Sequence, residues 1–227
     1  AINALAGGAS ASDVFTVTVT DGAAAANPVT AEFRVDLFGA NDTPTLTTTS
    51  GSTAASEQVK GIIDGGLTMT DIDSATLASA TVTITSGLVG DQDVLGYENT
   101  GSQTHGNIAG SYNAATGVLT LTSAQATATV AQWTAALRAV TYLNTSDTPN
   151  TTERAVSFVV HDGSTASLAG TKTITVTTVN DVPVLAAGKV TLARSASLTV
   201  NTNGEVALTE TSVVPAGAKV VGVTLNL

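Results

Sequence analysis

The strongest restriction on this chain is a strict alternation of apolar and polar residues, plain in Phe15-Thr16-Val17-Thr18-Val19-Thr20. Successive side chains of an extended strand point to opposite faces, so a period of two sends each Phe or Val to one side and each Thr to the other. The rhythm returns at Val82 and Ile84, at Leu119 and Leu121, and at Val156, Phe158 and Val160. It appears again at Ile174 and Val176, and at Leu198, Val200, Val206 and Leu208. Turn chemistry separates these runs at Asp21-Gly22, Asp64-Gly65-Gly66, Asp162-Gly163 and Asn203-Gly204. Many short, half-buried strands joined by polar turns predict an all-β chain of antiparallel sandwiches.

One stretch follows a different period. Thr129 and Gln132 have the spacing of a capping box, and Val130, Trp133 and Leu137 then recur at helical intervals. The pattern predicts one short α-helix over residues 130–139. About ten residues of helix are marginal alone, so the apolar stripe must dock on a sandwich with Trp133 as its anchor.

A longer repeat overlies the strands. Strand, Asp-Gly turn, strand and Asn-Asp-x-Pro occur twice in that order, closing first on Asn41-Asp42-Thr43-Pro44 and later on Asn180-Asp181-Val182-Pro183. Recurrence of a whole motif marks a tandem array. Pro restrains its own φ and keeps the preceding residue extended, which suits a crossing from one sandwich to the next. Three segments follow: residues 1–42 as the C-terminal part of a preceding sandwich, 43–182 as a complete repeat, and 183–227 as the N-terminal part of a following one.

Charge narrows the partners. With 8 Lys and Arg against 18 Asp and Glu, and a net charge of -10, the chain lacks the clustered cations that nucleic acid requires. Carboxylates gathered in a few loops attract hard cations instead. The absence of Cys rules out disulfides and thiolate metal sites. There is neither a run of about 18 apolar residues nor a basic leader, which argues against membrane insertion and makes the sequence read as an internal piece of something longer.

Asp71 and Asp73, two apart, face one side of a strand and turn together at its end. Two carboxylates alone fall short of the six to eight oxygens that Ca²⁺ takes. Asp91, Asp93 and Glu98, beside Gly90 and Gly96, read either as a turn leading into a strand at Val94-Leu95 or as another ion site. His105 and His161 are the only imidazoles, neither in a metal-binding spacing, and both are expected at the surface. For every loop Asp or Asn, the plain alternative is a turn in which the side chain bonds nearby backbone N–H groups.

Taken in order, Asn41-Asp42-Thr43-Pro44, Glu57, Asp71-Ile72-Asp73, Val160-His161-Asp162-Gly163 and Asn180-Asp181-Val182-Pro183 resemble the calcium motifs of cadherin-like repeats. Bacterial versions occur in long RTX-type adhesins exported by type I secretion. Residues 5–42 look like the end of a VCBS repeat, and residues 197–210 resemble the opening of another cadherin-like repeat.

The resemblance implies tandem Ig/cadherin-like sandwiches with Ca²⁺ at the junctions. Asn41 and Asp42 would join Asp71 and Asp73 at one junction, and Glu57, Asp162, Asn180 and Asp181 would serve the next. Gly39 and Thr178 stand where such linkers usually begin with Asp, and an Asp-Arg-Glu motif is replaced by Glu153-Arg154, which implies fewer or weaker ions. The implied function is a structural and adhesive module outside the cell, not an enzyme, with neighbouring repeats of the same chain as partners. Three other readings stay open: a glycan- or surface-binding module using its Thr rows, a filament subunit whose incomplete ends pair head to tail, and a hydrolase fragment using His105 or His161.

Overall fold

The computed structural model describes residues 5–22, 28–180, 199–200 and 206–207. The chain divides into two compact units, Ala1–Asp181 and Val182–Leu227. The first unit opens on an antiparallel hairpin of β1 (Ser10–Val19) and β2 (Val29–Phe38). Its register sets Phe15 against Phe33, Val17 against Ala31 and Val19 against Val29. One face is therefore apolar, and the other carries pairs such as Thr16 with Glu32. The alternation predicts half-burial of the apolar face, but Phe15 is 51% and Phe33 63% exposed. Among the described residues no second sheet covers it.

Short strands follow: β3 (Thr45–Thr47), β4 (Ser52–Ser56), β5 (Gly61–Ile62) and β6 (Thr68–Thr70). The core elements come next, β7 (Ser79–Ser86), β8 (Asp93–Gly96), α1 (Ser102–His105), β9 (Ile108–Asn113), β10 (Val118–Ser123), α2 (Val130–Arg138), β11 (Thr141–Asn144), β12 (Arg154–His161) and β13 (Gly170–Thr177). Six strands make the large sheet in the order β4-β13-β12-β7-β10-β9. Its neighbours are antiparallel except β4 and β13, which run parallel. The smaller sheets are β5-β11-β8 and β3-β6.

The expected inward residues meet in one apolar cluster. Val82, Ile84, Leu119, Val156, Phe158 and Ile174 enter it from the large sheet, Leu95 and Tyr142 from β8 and β11, and Met69 from β6. Trp133 and Leu137 close it from α2. The result is an all-β sandwich with a helix tucked into its second layer.

The α2 helix starts where its sequence says it should. Thr129 Oγ1 accepts the Gln132 N–H at 3.2 Å, and Gln132 Oε1 accepts the Thr129 N–H at 2.9 Å, so two donors without helical partners satisfy each other's residues. The helix ends at Arg138, with Ala139 as its cap. Trp133 is fully buried and donates its indole N–H to the Leu77 carbonyl at 3.0 Å. A second helix, the single turn α1 between Gly101 and Gly106, is not foreshadowed by apolar periodicity because it is one turn long.

In the second unit β14 (Thr199–Val200) pairs antiparallel with β15 (Val206–Ala207). Leu198, Leu208, the Asn203-Gly204 turn and Asp181-Val182-Pro183 lie outside the described residues.

Candidate cation sites at the two ends of the sandwich

Strand pairing decides which acidic loops meet. Thr45 of β3 pairs with Thr70 of β6, so the residues entering β3 lie beside those leaving β6. That register brings Asn41-Asp42 next to Asp71-Ile72-Asp73. His161 at the end of β12 pairs with Ser79 at the start of β7, which adds the Asp162 turn to the same end.

The contacts there are specific. The Asp42 N–H donates to Asp73 Oδ2 at 3.2 Å. Asp71 Oδ1 accepts the N–H groups of Asp73 at 3.2 Å and Ser74 at 2.9 Å, an Asx turn of the kind the plain reading anticipates. The Asn41 carboxamide donates from Nδ2 to Asp162 Oδ2 at 2.8 Å, Thr165 Oγ1 at 3.1 Å and the Asp42 carbonyl at 2.9 Å. Asp162 Oδ1 in turn accepts the N–H groups of Ser164 at 2.5 Å and Thr165 at 2.7 Å.

These surroundings pull two carboxylates in opposite directions. Burial raises the Asp71 carboxyl above its ordinary value, and although the Ser74 N–H lowers it, the adjoining Asp73 carboxylate adds to the rise. Burial also opposes ionisation of Asp162, but the Asn41 amide and the Thr165 and Ser164 donors outweigh it and hold that carboxyl below the ordinary value. Asp162 is thus satisfied by hydrogen bonds. The Asp71–Asp73 pair is not, since Asp71 Oδ2 and Asp73 Oδ1 are buried without a hydrogen-bond partner.

Glu57 lies at the other end. Because β4 and β13 are parallel, with Ser56 beside Thr177, the residues following both strands leave together. Glu57 is 4% exposed, its Oε1 accepts the Val179 N–H at 2.5 Å, and its Oε2 is buried without a partner. Gln58, at a left-handed φ of 59°, directs its carboxamide to Asp147. Asp147, Thr148, Pro149, Thr178, Val179 and Asn180 line a depression of about 550 Å³ here. Asn180 is exposed, and Asp181 lies outside the described residues.

The expected grouping therefore changes. Asp162 sits with Asn41, not with Glu57 and Asn180, because β12 and β13 are antiparallel and the turn between them falls at the far end from Thr177. Eight residues of β13 at ~3.4 Å each put roughly 27 Å between the two ends. Asp147 and Thr165 escape sequence reading, since each is an ordinary loop residue until folding delivers it.

Of the two readings of Asp91, Asp93 and Glu98, the turn into a strand holds, because Asp93 opens β8. Fully buried, Asp93 faces Arg154, with Nε at 3.1 Å from Oδ2 and Nη2 at 3.2 Å from Oδ1. Tyr142 OH at 2.6 Å and Asn144 Nδ2 at 2.8 Å also donate to its Oδ1. Glu98 pairs separately with Lys60 at 3.1 Å. His105 is 4% exposed instead of lying at the surface, because α1 turns it inward against the Tyr97 ring, with centroids 5.7 Å apart. His161 is partly exposed and accepts the Gly163 N–H on Nδ1 at 2.9 Å.

No family model matches the chain. A stretch of 103 residues is 39% identical to Halomucin of Haloquadratum walsbyi, covering 44% of this chain and 1% of that protein. Among solved structures, mouse clustered PcdhgC3 EC1-3 is similar at 16% identity over 74% of this chain and 43% of that one, with a TM-score of 0.30. The sandwich itself rests on the strand registers given above.

Among the described residues no three Asp, Glu or His side chains form a ready metal cage. Each end instead offers buried carboxylate oxygens in want of a partner, one pair at Asp71 and Asp73 and one at Glu57. A hard cation would suit such oxygens chemically, since it takes several at once, backbone and amide oxygens included. Among the described residues no helix is long and apolar enough to cross a membrane.

Proposed function

We propose that this chain is an adhesive spacer module of a long extracellular protein, stiffened by Ca²⁺ at the ends of its sandwich. On this reading residues 43–182 are a complete cadherin-like repeat, 1–42 the end of a VCBS-like one and 183–227 the start of the next, within a long surface adhesin. Neighbouring repeats are its first partners, and cell-surface or glycan targets its wider ones. The similarity of part of the chain to 1% of the length of Halomucin supports a place in a very long protein.

The observation that carries the calcium reading is the Asp71–Asp73 pair with its two orphaned buried oxygens, set against the Asn41-Asp42 connection. Asn41, Asp42, Asp71, Asp73 and Asp162 would hold an ion at one end. Glu57, Asn180 and Asp181 would hold one at the other, with Asp147 close by. Without a cation, carboxylates this close repel each other. With one, the connection and the sandwich become a single body.

Calorimetric titration with CaCl₂ tests this. Saturable binding is expected with a Kd of about 10⁻⁴ to 10⁻³ M, abolished at the first end in Asp71→Asn/Asp73→Asn. Absence of binding heat, or binding unchanged in that double variant, refutes the assignment.

A further inference from the structure

The triplet Asn-x-Ser/Thr occurs at Asn41-Asp42-Thr43, Asn144-Thr145-Ser146 and Asn150-Thr151-Thr152. With x other than Pro it is the acceptor pattern for an N-linked glycan, and its carboxamide nitrogen must be open to a glycosyl donor. The fold separates the three.

Asn144 is fully buried, with Nδ2 donating to Asp93 Oδ1 at 2.8 Å and Oδ1 accepting the Ser146 N–H at 3.0 Å. Asn41 is half-buried, and its Nδ2 is committed to Asp162, Thr165 and the Asp42 carbonyl. Asn150 is exposed, as are Thr151 and Thr152. Its Oδ1 accepts the Thr152 N–H at 2.8 Å, which leaves Nδ2 uncommitted and the Thr152 hydroxyl on the same short turn.

The loop is also held in place from beneath. Arg154 Nη1 donates to the Asn150 carbonyl at 2.5 Å and to the Thr152 carbonyl, while the rest of its guanidinium is locked on buried Asp93. Pro149, just before the acceptor, is buried. The backbone is tied down and the side chain faces out.

We propose that Asn150 is an N-glycosylation site, receiving an oligosaccharide from a polyprenyl-diphosphate donor. In the transfer a bond forms between Asn150 Nδ2 and the sugar C1 as the C1–O bond to the diphosphate breaks. Nδ2 gives up one proton, and the polyprenyl diphosphate leaves with the electron pair. The glycan projects from the Glu57 end of the sandwich.

The test incubates the folded 227-residue chain with a single-subunit oligosaccharyltransferase and a polyprenyl-diphosphate oligosaccharide, then reads intact mass and glycopeptides. One glycan per chain, on Asn150, is expected. It is lost in Asn150→Gln and in Thr152→Ala, which keeps the asparagine but removes the hydroxyl, and it persists in Thr152→Ser. The proposal is overturned if the folded chain stays unmodified while a free peptide spanning residues 148–154 is glycosylated, or if the glycan lands on Asn41 or Asn144.

Discussion

Asp93 and Arg154 carry opposite charges into the interior of a chain in which only 11% of residues are charged. Neither is legible from its neighbours in sequence, because they stand 61 positions apart and only the folded sheets bring them together. Removing one member of such a pair leaves an uncompensated buried charge, which costs about 3–5 kcal/mol. Arg154→Met is therefore expected to lose about that much stability in a denaturant titration; a loss well under 1 kcal/mol would show that the pair is not buried as described. The pH dependence has a definite sign. Burial opposes ionisation of Asp93, but Arg154, Tyr142, Val89 and Asn144 together outweigh it and lower its folded-state value. The stability it contributes is thus fully present above the ordinary carboxylate range and is lost as pH falls through the lowered value. Asp93→Asn should flatten that acid limb.

Among the elements, α2 is where local and tertiary signals agree. Its capping box is readable in four consecutive residues, and Trp133 sits where the apolar stripe demands. The two contributions are separable by size. Thr129→Ala is expected to cost about 1 kcal/mol through the lost cap, and Trp133→Ala about 3–5 kcal/mol through the cavity it leaves, both measured by chemical denaturation. Equal, small effects would mean that the helix does not anchor the core. The β1–β2 hairpin shows the opposite case. Its alternation specifies a strand pair and an apolar face, but period two cannot say whether anything lies on that face. Phe15 and Phe33 are paired as the pattern requires and still stand more than half exposed.

At the scale of the molecule, the parallel β4–β13 pair and the antiparallel β12–β13 pair place acidic groups at opposite ends of one sandwich. On the proposed reading, an ion at the Asp71 end ties residues 38–43 to the loops around Asp73. At ten times Kd, linkage stabilises the bound form by about 1.4 kcal/mol per site, modest for global unfolding but ample for a local hinge. Chelation is therefore expected to accelerate proteolytic cleavage within residues 38–43 several-fold while fragments of the β7–β13 core persist. Cleavage at one rate with CaCl₂ and with chelator would remove the stiffening role.

The sequence by itself determined the strand periodicity, the turns at Asp64 and Asp162, the start of α2 and the inward residues of β7, β10, β12 and β13, because each of these depends on side chains within one strand, turn or helix of one another. It also supplied the candidate ligands. Only the tertiary structure decided which of them meet: Asp162 joins Asn41 and leaves Glu57, Asp93 turns inward to Arg154, His105 turns inward from α1 against Tyr97, and one of three Asn-x-Ser/Thr triplets keeps an open carboxamide. The physical reason is common to all four. Spacing along the chain sets which face a residue points to, whereas strand direction and register set what stands opposite it, and those are properties of the assembled sheets.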